Sequence, residues 1–263
     1  MPTLQPLSRS AFGRLRWKRY GDYRFTASDA LCPLVAHELS KAALALPIAF
    51  VPQGQTYTPA AVQGLASGQN LYVHPDGRWL TTYIPAAYRS HPFRMAQTPE
   101  GQEVLCVDTD SGLISETEGE PFFTDSAAPS PELLKVIDFF QQIAANRQAT
   151  QAACGVLQSH GLIQPWPIAG KTEQGDKTVQ GLYRIDEARL NELSAPALKE
   201  IQAAGALAMA YSQLLSMQHL PTLGQLAELH AQAQSKPALP TNASGELDLE
   251  FLNNNGTLSF GNL

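Results

Sequence analysis

The chain is poor in cysteine. Its 263 residues hold three, Cys32, Cys106 and Cys154, odd in number, far apart and without a Cys-x-x-Cys pair. That argues against a disulfide framework or a zinc knuckle and fits a reducing cytoplasm, the expected location. A basic excess is missing too. Asp and Glu total 24 against 18 Lys and Arg, a formal net charge of −6, which argues against a general nucleic-acid binder. The longest strongly apolar stretch, Ala42–Val51, is about half the length needed to cross a bilayer and contains Pro47. Met1–Arg9, interrupted by Pro2 and Pro6, lacks a secretory pattern. A soluble protein without a transmembrane segment is expected. Catalytic signatures are also missing: there is no Gly-x-Gly-x-x-Gly, Walker loop, Gly-x-Ser-x-Gly elbow or His-Glu-x-x-His. Their absence weakens the case for nucleotide enzymes, serine hydrolases of that type and zinc proteases.

What the chain does have is 44% hydrophobic residues, enough for a substantial core. Residues 33–46 carry Leu34, Val35, Leu39, Ala42, Ala43 and Leu46 at helical spacing, with Pro33 in the first turn and Pro47 as the stop. The period then changes. Ile48–Val51 reads as a short buried strand, and Asn70–His74 and Arg78–Ile84 as two strands joined by the turn Pro75-Asp76-Gly77. Glu103–Asp108 reads as another, and Leu113–Glu116 as a further one.

Past residue 125 the pattern becomes helical. Ser130 is placed to cap a helix with Pro131 in its first turn, and Leu133, Val136, Ile137, Phe140 and Ile143 form one apolar stripe. Lys171–Lys177 reads as an exposed loop. Asp186 caps a short helix, Ala197–Met217 reads as a packed helix, and Thr222–Gln225 has capping-box spacing for a last helix through Gln234. The fold class expected is α+β. A β-rich lobe over residues 1–125, with its helix at 33–46, packs on a helical lobe over 126–235, and 236–263 forms an extended tail.

Four groups of residues invite a chemical reading. His74-Pro75-Asp76 with a distant His (His91, His160 or His219) has the donor types of one face of a non-haem iron site, yet the same residues already make a hairpin turn. Cys106, Asp108 and Asp110 lie on and beside one strand; a thiol nucleophile there needs a base, and a strand Cys is ordinarily a small core residue. Arg9 to Arg24 mix arginines with Trp17, Tyr20 and Tyr23, a composition that suits phosphates, but the acidic charge of the whole chain favours a strand whose arginine stems cover apolar surface. Best supported is Tyr83, Tyr88, Arg89, His91 and Phe93 around Pro85 and Pro92, with Trp79 nearby. Aromatic faces and a guanidinium at this spacing can hold an extended peptide or an anion; the competing reading is a core strand and its exit loop, with Arg89 paired to a buried carboxylate. No catalytic residue, metal ligand or cofactor is assigned.

Two blocks in the same order resemble the SapC family of bacterial proteins, named for S-layer secretion. The first is Pro47-Ile48-Ala49-Phe50, Asn70-Leu71-Tyr72-Val73, Asp76-Gly77-Arg78-Trp79 and Tyr83-Ile84-Pro85-Ala86-Ala87-Tyr88-Arg89, followed by Pro92-Phe93. The second is Gly181-Leu182-Tyr183-Arg184-Ile185-Asp186-Glu187, then Leu190, Leu193, Gly205-Ala206-Leu207 and Tyr211. Gln213 stands where many members have His, and His74 lies in a turn more often acidic. The resemblance implies a soluble protein of unassigned biochemical role, often encoded near outer-membrane receptors, tryptophan-halogenase-like flavoproteins and cupin-like proteins. Together with the residues, it leads to the expectation of a non-catalytic accessory protein with a protein or peptide partner. The alternative is a metal-dependent enzyme or enzyme subunit acting on a peptide or amino acid.

Overall fold

The computed structural model describes residues 3–98, 101–172 and 175–235. The tail expected over 236–263 lies outside them. The chain opens with β1 (Leu4–Pro6), a single helical turn α1 (Arg9–Phe12) and β2 (Arg16–Trp17). β3 (Leu31–Pro33) leads into helix α2 (Ala36–Ala42) and the hairpin of β4 (Ile48–Gln53) and β5 (Thr56–Val62). After the turn α3 (Ala86–Arg89) come β6 (Phe93–Gln97), β7 (Glu103–Asp108) and the two-residue strands β8 (Ile114–Ser115) and β9 (Glu120–Pro121). The long helix α4 (Pro131–Ser159) is followed by β10 (Ile163–Pro165), β11 (Ile168–Thr172), β12 (Gly175–Val179) and β13 (Tyr183–Ile185). Helices α5 (Glu187–Asn191), α6 (Ala195–Ala203), α7 (Ala206–Ser216) and α8 (Leu220–Ser235) close the described fold.

The architecture is α+β, with most sheet in the first half and mostly helix after residue 130. One sheet has the order β10-β13-β4-β5-β3, so the C-terminal half contributes two strands to the sheet begun by the N-terminal half. A second has the order β1-β7-β6, and a small third β8-β2-β9. Gln213 of α7 ties the main sheet together. Its Oε1 accepts from the Ile185 amide at 2.9 Å and its Nε2 donates to the Ile48 carbonyl at 3.1 Å, while the Ile48 amide donates to Ser216 Oγ at 2.9 Å.

Two cores result, and α4 serves both. Its first half sets Leu133, Val136, Ile137 and Phe140 against Phe12, Trp17, Phe93 and Phe122. Its second half sets Ala153, Cys154 and Leu157 into the larger core with Leu39, Leu46, Phe50 and Tyr72. Its start is built as the sequence implies, with Pro131 in the first turn and Ser130 Oγ accepting from the Leu133 amide at 3.2 Å.

Several local expectations change. The helix read over 33–46 is α2 alone, because Pro33 ends β3 and residues past Ala42 turn toward β4. Asn70–His74 and Arg78–Ile84 do not form a ladder: one bridge, Val73↔Trp79, joins them, and the Trp79 indole donates to the Tyr83 carbonyl instead. The helix read over 197–217 is broken by Gly205, whose φ of +70° is left-handed, into α6 and α7. The last helix starts at Leu220, directly after a 3-10 turn at Met217–His219, so Thr222 lies inside it rather than capping it. Lys171 and Thr172 belong to β11 and residues 175–177 to β12, paired antiparallel, rather than to a loop. No helix of the described residues is long and apolar enough to cross a membrane.

Candidate binding site

Glu38 organises the region that the sequence marks. Sitting in the first turn of α2, its Oε1 accepts from the Val35 amide at 2.9 Å and so caps its own helix. Its Oε2 accepts from the Tyr83 hydroxyl at 2.7 Å and from the Ala86 amide, at the start of α3, at 2.8 Å. One buried carboxylate thereby satisfies donors at two helix starts. Arg89 completes the arrangement. Its Nε donates to the Ile84 carbonyl at 2.9 Å, one terminal nitrogen donates to the Tyr83 hydroxyl at 2.7 Å, and the same nitrogen stands 4.0 Å from Glu38. The guanidinium also lies 5.2 Å from the centre of the Tyr83 ring.

Beyond α3 the chain turns sharply, with a cis His91–Pro92 peptide and the Phe93 amide donating to the Ser90 carbonyl. The segment from Tyr88 to Phe93 becomes a wall between two clefts, and Ser90 and Phe93 line both. The first cleft, of about 410 Å³, lies between this wall, the β2 region and α4. Trp17, Tyr20, Phe93 and Phe139 give it aromatic sides; Arg19, Arg89 and Lys135 give it cations, with Glu132 as its one carboxylate among the described residues. Glu132 bonds Lys135 and lies 3.5 Å from Arg19, and the lysine holds its carboxyl below the usual range.

Two side chains that line this cleft each carry a buried polar atom without a partner among the described residues. Trp17 Nε1 and His91 Nδ1 are both buried without a hydrogen bond, on side chains only 5% and 7% exposed. The His91 ring stacks on Phe25, centroids 3.8 Å apart. Burial lowers its pKa to about 4, with Arg94 assisting and Asp108 opposing, so the ring is neutral at pH 7. Burial and neighbouring Tyr23 push the Tyr20 phenol up to about 12.

The second cleft, of about 570 Å³, separates β3 from β6, the edge strands of two different sheets. Tyr88, Asp29, Cys32 and Arg94 line it. Tyr88 donates to Gln63 Oε1 at 2.7 Å. Burial raises the Asp29 carboxyl and pushes the Cys32 thiol up to about 12, which makes the thiol a poor nucleophile.

Of the six residues that the sequence nominates, Arg89, His91 and Phe93 meet in the first cleft, while Tyr88 and Phe93 face the second. Tyr83 and Trp79 line neither; they stand behind the wall, Tyr83 on Glu38 and Trp79 on Tyr83. Sequence reasoning missed Lys135 and Phe139, two outward positions of a helix whose buried stripe drew attention. It also missed Glu38, and it read Trp17, Arg19 and Tyr20 as a surface-covering segment or a phosphate contact, not as part of this cleft. Their alternation of cation and ring was the available signal.

The other constellations resolve locally. His74 Nδ1 lies 2.8 Å from Asp76 Oδ1, and Arg78 Nε donates to Asp76 Oδ2 at 2.7 Å, so both carboxylate oxygens are engaged within the turn. Asp108 Oδ1 accepts from the Asp110 amide at 3.2 Å in a 3-10 turn, and Cys106 is buried. Among the described residues no three His, Cys, Asp or Glu side chains cluster as metal ligands. A family model described as SapC matches residues 7–223. No curated protein and no solved structure matches the chain.

Proposed function

The chain belongs to the SapC family, and from that premise we propose that it is a non-catalytic accessory protein of the cytoplasm that binds a peptide or protein partner. The system it serves is one of envelope biogenesis, export or peptide modification. The observation that carries this reading is the wall from Tyr88 to Phe93, held from behind through Glu38 and flanked by a cleft on each side. Preorganised apolar clefts with a few fixed polar groups suit recognition, because little side-chain freedom is lost on binding. The thiol and phenol beside the second cleft are held in their protonated forms, which suits binding better than nucleophilic attack.

The test is affinity recovery from native extract with the full chain, followed by intact mass of what is retained. Wild type is expected to retain a stoichiometric polypeptide that Phe139→Asp loses while keeping its circular dichroism. Equal retention by both, or turnover of the recovered peptide by the purified protein, would overturn the proposal.

A further inference from the structure

Building on the binding reading above, we infer that the first cleft recognises an acidic peptide, through one carboxylate seated beside an apolar or aromatic residue. Charge is the first argument. Three cations, Arg19, Arg89 and Lys135, line the cleft. Glu132 lines the cleft with them, and Glu38 stands behind the wall at 4.0 Å from Arg89. Among the described residues one of these positive charges stays unmatched, on a chain whose formal net charge is −6. A local surplus of that sign and size fits a monoanion such as a carboxylate better than a dianionic phosphate.

Geometry places that surplus. Arg89 uses Nε and one terminal nitrogen on Ile84 and Tyr83, and its other terminal nitrogen has no hydrogen-bond partner among the described residues. The guanidinium is thus fixed on one edge and open on another, the state in which it binds a carboxylate with the least loss of freedom. Aromatic sides supply the rest. Trp17, Tyr20 and Phe139 offer ring surface to an apolar side chain next to the acid.

Two buried nitrogens on the lining side chains would suit a peptide unit if the rings turned. Trp17 Nε1 can only donate, whereas a neutral imidazole nitrogen can accept. A peptide unit carries the complementary pair, a carbonyl and an amide. Both nitrogens are covered by neighbouring atoms, so engaging them requires the rings to turn, and that movement is observable.

Four acetylated, amidated pentapeptides serve as probes, Ala-Phe-X-Phe-Ala with X as Glu, Gln, Lys or phosphoserine. Each is titrated into the full chain by calorimetry and by indole nitrogen–proton spectra. The Glu peptide is expected to bind at least tenfold tighter than the Gln peptide and to shift the Trp17 indole resonance. The Trp79 indole, which donates to Tyr83, is expected to stay in place. Lys135→Glu, at a side chain 70% exposed, is expected to weaken the Glu peptide at least tenfold without lowering Tm. Equal binding of the Gln or Lys peptide, tighter binding of the phosphoserine peptide, or no binding of the Glu peptide would overturn the inference. The broader binding reading is decided separately by recovery from native extract, which does not depend on these probes.

Discussion

Glu38 and Tyr83 are joined by a 2.7 Å hydrogen bond between a side chain at the start of α2 and one 45 residues later, and the same carboxylate oxygen holds the Ala86 amide. The pair couples the main core to the wall between the clefts. Removing the carboxylate strands the Tyr83 and Ala86 donors and uncaps the Val35 amide, so Glu38→Ala is expected to cost roughly 3 kcal/mol in urea unfolding. Tyr83→Phe leaves the Ala86 contact intact and is expected to cost about 1 kcal/mol. The double variant should then fall short of the sum, since both changes remove one shared bond. Additive losses would mean that the two side chains act independently.

Much of the scaffold was legible because its signals are local. Ser130 and Asp186 cap the helices after them, and their side chains accept from amides three residues on, at Leu133 and Arg189. The apolar stripe from Leu133 to Phe140 reports a real packing face. Strand β5 was not legible. Its Thr-Tyr-Thr start favours a strand, but Pro59, Ala60 and Ala61 break the signal, and pairing on both sides holds it, with Ala60, Ala61 and Val62 buried. The clefts lay further out of reach. The first is assembled from the β2 region, the wall and α4, and Lys135 and Phe139 look like ordinary outward helix positions until the wall is set opposite them.

Gln213 tests the stitching of the main sheet. Its amide is the partner of one backbone donor and one backbone acceptor, in two strands brought together from opposite ends of the chain. Gln213→Leu keeps similar bulk but strands both groups in a site 1% exposed. A loss of about 2–4 kcal/mol is expected from chemical denaturation, and Gln213→Glu, which restores only the acceptor, should recover little of it. An unchanged midpoint for the Leu variant would show that the strands do not need the amide.

Two glycines separate backbone strain from steric conflict. Gly54 has φ +62° with open space around a notional Cβ, whereas Gly77 has φ +94° and its Cβ would lie 2.7 Å from the Asp22 Cβ. Gly54→Ala is expected to cost about 1 kcal/mol, the left-handed penalty alone. Gly77→Ala adds the clash and should cost roughly 2–3 kcal/mol, while loosening the contact by which Arg24 donates to the Asp76 carbonyl. Equal costs at the two positions would show that the Asp22 segment yields freely.

His91 should set the slope of stability against pH on the acid side of neutrality. In the unfolded chain its imidazole takes up a proton as pH falls through 6.5, but burial delays that uptake in the folded protein until about pH 4. Between those values the unfolded state binds more protons, so stability falls with falling pH, by at most about 3 kcal/mol. Asp29 works the other way. Its carboxyl is raised by burial, so the folded state takes up that proton first and gains stability as pH drops through the carboxylate range. The difference between wild type and a His91 variant from pH 6.5 to 5 therefore reports His91. Urea unfolding across that window should show wild type losing stability, while His91→Phe, which keeps a ring stacked on Phe25, gives a flatter line. Parallel lines for the two proteins would mean that the folded state protonates His91 as readily as the unfolded chain does.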